Sequence, residues 1–328
     1  MTHSRREYML PLIVVLSLSL TAVAPWIGMQ RIGWGDVFDG NNPLLANIFW
    51  NLRLPRTLTA FVAGCGLAMG GVAFQALFRN PLAEPFTLGV SAGASVGIAF
   101  ALYWGGGAVF FGLVSTENLY AFIGALIAIG VVYAFSRLRS DFGAATLLLS
   151  GVAVSFFFSS LVMLLQHMVD PHNAARIFRA MIGGIAAAGQ KQLVLTIPFV
   201  VLGVFLTGRH SRELDIISCG DDVAVTRGVD TAKVRKRLFI GVSLMVGGIT
   251  ALCGPIGFIG LIAPHICRIL VGPEHGRLLV GSACFGGMFL VAADLVAKTV
   301  IAPNELPVGV VSSLCGAPFF LWLLLRMR

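Results

Sequence analysis

Charge is what this chain has least of. Of its 328 residues only 12% are Asp, Glu, Lys or Arg, against 57% hydrophobic, a balance foreign to ordinary water-soluble domains. No GxxxxGK[ST] loop occurs anywhere, so the chain does not itself hold ATP through a P-loop. The six cysteines, at 65, 219, 253, 267, 284 and 315, stand singly without CxxC spacing. That pattern excludes the usual zinc and dithiol sites and reads as small core residues. Acids inside the apolar runs are almost missing, Asp294 being the one clearly at depth. An ion-coupled secondary transporter normally spends several buried ionisable groups on its ion path, and their scarcity argues against that class, which stays as the alternative reading. A haem-bearing redox subunit or intramembrane enzyme would need histidine pairs within spans. Instead, His3, His172, His210 and His275 read as loop or terminal residues, and His265 sits beside Pro264 near a span's inner end. Only His167 with Met168, at an outer rim, has the position of a haem or metal contact, and a rim histidine is more simply solvated.

What the chain does have is long apolar runs and 39 glycines, with a mean hydropathy of +0.89. A bilayer core takes roughly 20 apolar residues per helix. Runs and polar breaks place spans near 9–29, 54–78, 90–109, 118–136, 144–168, 190–208, 238–252, 256–271, 278–297 and 308–325. The expected fold is therefore an all-α polytopic membrane protein of about ten transmembrane helices, a single domain over 1–328. Arg5-Arg6 precede the run from Met9 to Trp26, and Ala22-Val23-Ala24 mimics a signal-peptidase site. The run is long for a signal peptide and is taken as an uncleaved first span.

An even number of spans puts both termini on one side. With that side cytoplasmic, sixteen of the 23 basic residues fall on inner segments, which fixes the orientation by the positive-inside rule. The net charge of +8 needs no nucleic acid partner, since the basic residues form no stripe and have no aromatic interleaving. Residues 209–237 are the exception to the apolar pattern, with twelve of the chain's charged residues. Within them Gly220-Asp221-Asp222 and Gly228-Val229-Asp230 each offer a turn glycine followed by a capping acid. Two short helices, a cytoplasmic knob for a partner, are the expectation.

Gly89, Gly93 and Gly97 recur every fourth residue, as on a smooth helix face that a neighbour can approach closely. Gly64, Leu67, Gly70 and Gly71 are matched at an offset of 177 by Gly241, Leu244, Gly247 and Gly248. Five spans lie between matched positions, which predicts an inverted-repeat arrangement.

Four segments then carry a family resemblance: Asn51-Leu-Arg-Leu-Pro-Arg-Thr57; Asn80-Pro-Leu-Ala-Glu-Pro85 with Leu88-Gly-Val-Ser91; Gly254-Pro-Ile-Gly-Phe-Ile-Gly-Leu261 with Pro264-His265; and Glu305-Leu-Pro-Val-Gly309 with Gly316-Ala-Pro318. Long and correctly ordered, they resemble the FecCD permeases of type II ABC importers for iron-siderophores, haem and vitamin B12, from about residue 50 to the C-terminus. The resemblance implies a ten-span, vitamin B12-permease-like subunit of the bacterial inner membrane that does no chemistry and has no cofactor of its own. Its implied partners are a second permease copy, two cytoplasmic subunits that bind ATP and magnesium, and a periplasmic substrate-binding protein. It places docking of the binding protein on Arg53, Arg56 and Lys298, the lysine standing where relatives often have arginine. ATPase coupling falls on Gly220, Asp221, Asp222, Ala224, Gly228 and Val229, with Cys219 and Arg227 replacing the more usual leucines. The cytoplasmic gate falls on Asn80, Leu82, Ala145 and Thr146, the last two in a stretch poorer in hydroxyls than the family's vitamin B12 permease.

Overall fold

Each of the ten apolar stretches folds as a helix, and glycine decides how near these helices come to one another. The computed structural model describes residues 3–38, 42–105, 109–110, 114–138, 144–185 and 189–326. The helices run α1 His3–Val23, α2 Trp34–Phe38, α3 Pro43–Ile48, α4 Leu54–Phe78 and α5 Val90–Tyr103, then α6 Thr116–Leu138, α7 Ala144–Met168, α8 Pro171–Ile182, α9 Gln190–Arg209 and α10 Ser211–Ser218. They continue with α11 Asp221–Thr226, α12 Thr231–Cys253, α13 Ile259–Val271, α14 His275–Thr299 and α15 Val308–Arg326. Among the described residues seven helical segments are long and apolar enough to cross a membrane, while α5, α13 and α15 are shorter apolar helices.

The polar connections hold elements the hydropathy pattern did not show. α2 and α3 follow the first span, and a π-helical turn over Phe49–Arg53 leads α3 directly into α4. α8 is short and amphipathic, capped by Asp170, whose carboxylate accepts from the Asn173 N–H at 3.1 Å. Residues Val109–Phe110 and Val114–Ser115 pair as a small antiparallel hairpin.

Helix pairing repeats between the two halves. α4 packs on α13 and α14 as α12 packs on α5 and α6, and α5 packs on α6 and α7 as α13 packs on α14 and α15. The matched glycines do not, however, mark equivalent contacts. Gly64 lies on the backbone of α14 at Gly286, whereas Gly241 faces Leu206 of α9; Gly71 lies on Gly260 of α13, whereas Gly248 faces the Phe199 ring. The repeat thus resides in which helices meet, and each half fills its own gaps with different side chains.

The expected glycine face is two residues rather than three. Gly93 and Gly97 press against the backbone of α6 at Gly124 and Tyr120, with no room for a Cβ. Gly89 instead caps α5 with φ +80, a left-handed conformation that suits glycine, and faces Gly151 and Val154 on α7.

Introducing Gly97→Val should force α5 from α6 and cost about 1–3 kcal/mol, as overpacking of a filled core does. Gly130, in the interior of α6, faces open space, so Gly130→Ala serves as a control whose melting temperature should not fall and should rise slightly with helix propensity. Thermal unfolding of the detergent-purified protein checks both.

Candidate functional site

Two polar clusters interrupt the apolar bundle, one at each end. At one end Pro55 follows the π-helical turn at the start of α4, and Arg56 follows it. The Arg56 guanidinium donates from Nε and Nη2 to Asp294 of α14 at 2.9–3.2 Å, and from Nη1 to both oxygens of Glu305 at 2.9 and 3.1 Å. The side chains of Arg56 and Asp294 are only 13% and 3% exposed, and a charge so buried persists only when paired and hydrogen-bonded. Arg53 donates to the Gln30 carbonyl at 2.7 Å and the Pro25 carbonyl at 3.4 Å, and Lys298 to the Ala24 carbonyl at 3.3 Å.

Arg53, Arg56 and Lys298, expected as docking residues, do converge, since all three line one cavity of about 450 Å³ together with Gln30 and Glu305. They are not a free basic surface, though. Lys298 is buried at 8% exposure and Arg56 is spent on two carboxylates. A second cavity of about 520 Å³, lined by Glu117, Asn118, Arg179 and the residues around Gly183 and Gly254, also includes Arg56 and Glu305. The backbone around this cavity is knitted together: Gly184 N–H donates to the Cys253 carbonyl at 2.9 Å and Gly309 N–H to the Gly183 carbonyl at 3.3 Å.

At the opposite end α4 stops at Arg79, which takes a left-handed conformation, φ 48. The residue before a proline is steered from the helical region, and Asn80 precedes Pro81. Asn80 Oδ1 accepts from the Leu82 N–H at 2.9 Å and its carbonyl accepts from Ala83 N–H at 3.1 Å, closing a local turn. Leu82 is half-buried on that turn. Ala145 and Thr146 open α7, and their side chains lie outside the described residues.

The turn is fixed to α13. Gln75 donates to the Gly260 carbonyl at 3.2 Å and accepts from Arg268 at 3.0 Å. Glu84 is buried, and its carboxyl accepts from the backbone N–H groups of Phe258 and Gly260 at the head of α13. Burial pushes its pKa up to about 7 against the downward pull of those two bonds.

Beyond this end lie α10 and α11. α10 is anchored by the fully buried Leu214 and Ile217, and by Asp215, which accepts from the His275 N–H at 2.9 Å and meets His275 Nδ1 at 2.6 Å. Gly220 follows with φ 128 and Gly228 with φ 77. The second capping acid does not open a short helix: Asp230 accepts from the Lys233 N–H at 3.1 Å and caps α12, which begins well before the span expected at 238. The knob's two helices are α10 and α11, and α10 starts without a capping side chain.

Of the expected coupling residues, Asp222 and Gly228 are exposed, Val229 is half-buried, and Ala224 is buried against the knob. Exposed Val223 and Val225 form the outward apolar surface of α11. The Asp221 carboxylate turns inward to Arg79 at 3.0 Å and Arg235 at 2.6 Å. His210 and His275 are buried at helix ends rather than in loops, and the His265 ring stands 5.9 Å from that of Phe319. Two cysteines read as core, Cys219 and Cys315, are exposed.

Sequence reading missed Glu84, Gln75, Arg79, Arg235 and Glu305. Asp294 was the one legible signal, because an acid at depth demands a cation at the same end, and Arg56 was available.

A bundle of apolar helices with repeated pairing, polar clusters at its ends and a polar knob on one side defines a polytopic membrane permease. The chain belongs to the FecCD transport family, which it matches over residues 10–326. It is similar to an uncharacterized ABC transporter permease protein of Bacillus subtilis, YvrB, at 37% identity covering 96% of this chain and 90% of that one. It is also similar to the hemin transport system permease protein HmuU of Yersinia pestis, at 34% identity covering 98% and 95%. The vitamin B12 import system permease protein BtuC of Yersinia pseudotuberculosis shares 36% identity, covering 97% and 91%. Among solved structures, one described as an inward-facing conformation of a metal-chelate type ABC transporter superposes with a TM-score of 0.87 at 28% identity, covering 98% of this chain and 99% of that one.

Removing one partner of the buried Arg56–Asp294 pair should be costly. Asp294→Asn should lower stability by about 3–5 kcal/mol, while Arg56→Met with Asp294→Leu should recover most of it, as read by thermal unfolding of single and double variants. Glu84 gives a pH signature. Its folded pKa lies above the unfolded value, so the folded state holds the extra proton and stability falls as pH rises from about 4.5 to about 7. Glu84→Gln should flatten the melting temperature across that window.

Proposed function

We propose that this chain is the permease subunit of an ATP-driven ABC importer that moves an iron chelate, siderophore-bound iron or haem, or cobalamin, from periplasm to cytoplasm. It works as a dimer of ten-span subunits in the bacterial inner membrane, with both termini and the α10–α11 knob cytoplasmic. Two ATP-binding subunits seat on the knob and a periplasmic binding protein docks at the outer cluster around Arg53, Arg56 and Lys298. The dimer seam carries the substrate, and the turn bearing Asn80 and Leu82, together with the start of α7 at Ala145 and Thr146, closes its cytoplasmic end.

The observation that carries this reading is the juxtaposition at the inner end. A left-handed stop at Arg79 puts a proline turn at the mouth of the bundle, next to a glycine-hinged helix whose outward face is the apolar pair Val223 and Val225. An irregular turn at that depth is tolerated where it meets protein or lines a water-filled passage. A plug made of two small loops suits a bulky cargo, because moving them opens a wide hole with no ion-specific groups. The hemin and vitamin B12 transport roles named for HmuU and BtuC support that class of cargo.

Reconstitution with an ATP-binding subunit tests the reading. ATP hydrolysis should rise severalfold with loaded binding protein, and uptake should stop with vanadate but survive ionophores that collapse proton and sodium gradients. Uptake that follows an ion gradient instead overturns it. Affinities of the cognate binding protein for haem, ferric siderophore and cobalamin assign the cargo.

A further inference from the structure

Asp221, although its side chain is 39% exposed, is not a free carboxylate on the knob. Its two oxygens are divided between Arg79, at 3.0 Å, and Arg235, at 2.6 Å. Arg79 is the residue that ends α4 and begins the Asn80-Pro81-Leu82 turn, and Arg235 stands in the first turns of α12. We propose that the Arg79–Asp221–Arg235 bridge is the joint through which movement of α11 reaches the inner gate turn, with Arg79 as its positioning residue. The proposal rests on the gate and coupling roles given above.

The surroundings divide the knob into a fixed and a movable part. α10 is fixed: Leu214 and Ile217 are fully buried, and Asp215 holds the first N–H and the ring of His275 at the head of α14. Gly220 comes next with φ 128, a backbone state closed to other residues without strain, and the Arg79 guanidinium lies alongside it. α11 is therefore hinged at its start. Its first residue carries the carboxylate that reaches the gate turn, so displacement about the hinge is delivered at Asp221.

At the receiving end, Arg79 is an arginine held at φ 48. Its backbone sets the direction in which the chain leaves α4, so a pull on its side chain acts on the residue that aims Leu82. Arg235 is 17% exposed and its Nε is buried without a hydrogen bond. Among its described contacts Asp221 supplies the opposite charge, so the bridge has its buried anchor at Arg235 and its solvent-exposed end at Arg79, whose side chain is 44% exposed. A carboxylate shared by two guanidiniums transmits both push and pull, whereas an apolar contact transmits push alone.

The test uses the permease assembled with its ATP-binding subunit in inverted membrane vesicles, with Leu82→Cys placed in a background of Cys219→Ser and Cys315→Ser. The readout is the labelling rate at position 82 by a membrane-impermeant maleimide, with and without ATP plus vanadate, alongside ATP hydrolysis and co-purification of the two subunits. In the background protein nucleotide should change labelling by about tenfold, within the usual range of coupling between sites. With Arg79→Gln the change should fall below about twofold while hydrolysis and co-purification persist, and Arg79→Lys should restore most of it. A full nucleotide response in Arg79→Gln overturns the joint and leaves the gate standing. So does loss of the partner subunit in Arg79→Gln, since the bridge is then a structural staple. A background protein whose labelling ignores nucleotide removes the gate reading and the joint with it.

Discussion

Every peptide group that leaves a helix inside an apolar medium has to find a partner within the protein, and that requirement organises the irregular parts of this chain. At the inner end the α4 stop is satisfied by Asn80, by Gln75 on Gly260 and by Glu84 on the head of α13. At the outer end Gly183, Gly184, Cys253 and Gly309 bond one another. Asn80 closes its turn locally, whereas the other partners come from distant parts of the sequence. The irregular segments consequently tie the two halves of the fold together by hydrogen bonds, where the long helices do so by close packing.

The same rule governs charge. Arg56, Asp294 and Glu305 form one network, and the cation that looks like a docking residue in the sequence is first of all what makes Asp294 tolerable in α14. One guanidinium therefore serves the neutrality of both carboxylates. The two outer cavities share Arg56 and Glu305 in their walls, so a carboxylate brought to either one competes with Asp294 and Glu305 for the same donors.

Helix existence and order were legible because a bilayer sets a length of apolar sequence, and the knob was legible because twelve charges broke that pattern. The family was legible because motifs such as Asn80-Pro-Leu-Ala-Glu-Pro85 pack many constrained positions into few residues. Amphipathic α8 was hidden between spans, since its apolar face is too narrow to lift the local hydropathy. Ion pairs such as Arg79 with Asp221 were hidden for another reason: 142 positions separate the partners, and periodicity reports only neighbours along the chain. The burial of Lys298 was not legible, because a long aliphatic stem lets an ammonium lie under a carbonyl at a helix end.

α12 begins in the charged knob and ends at Gly254, whose φ of 71 turns the chain into the Pro255–Gly257 segment. Its 23 residues make one uninterrupted rod of about 34 Å. A tilt of about 5° around either end sweeps the opposite end through about 3 Å, close to half a helical turn. The length of a single element thus converts a small tilt at one end into a displacement at the other comparable to a water molecule's diameter.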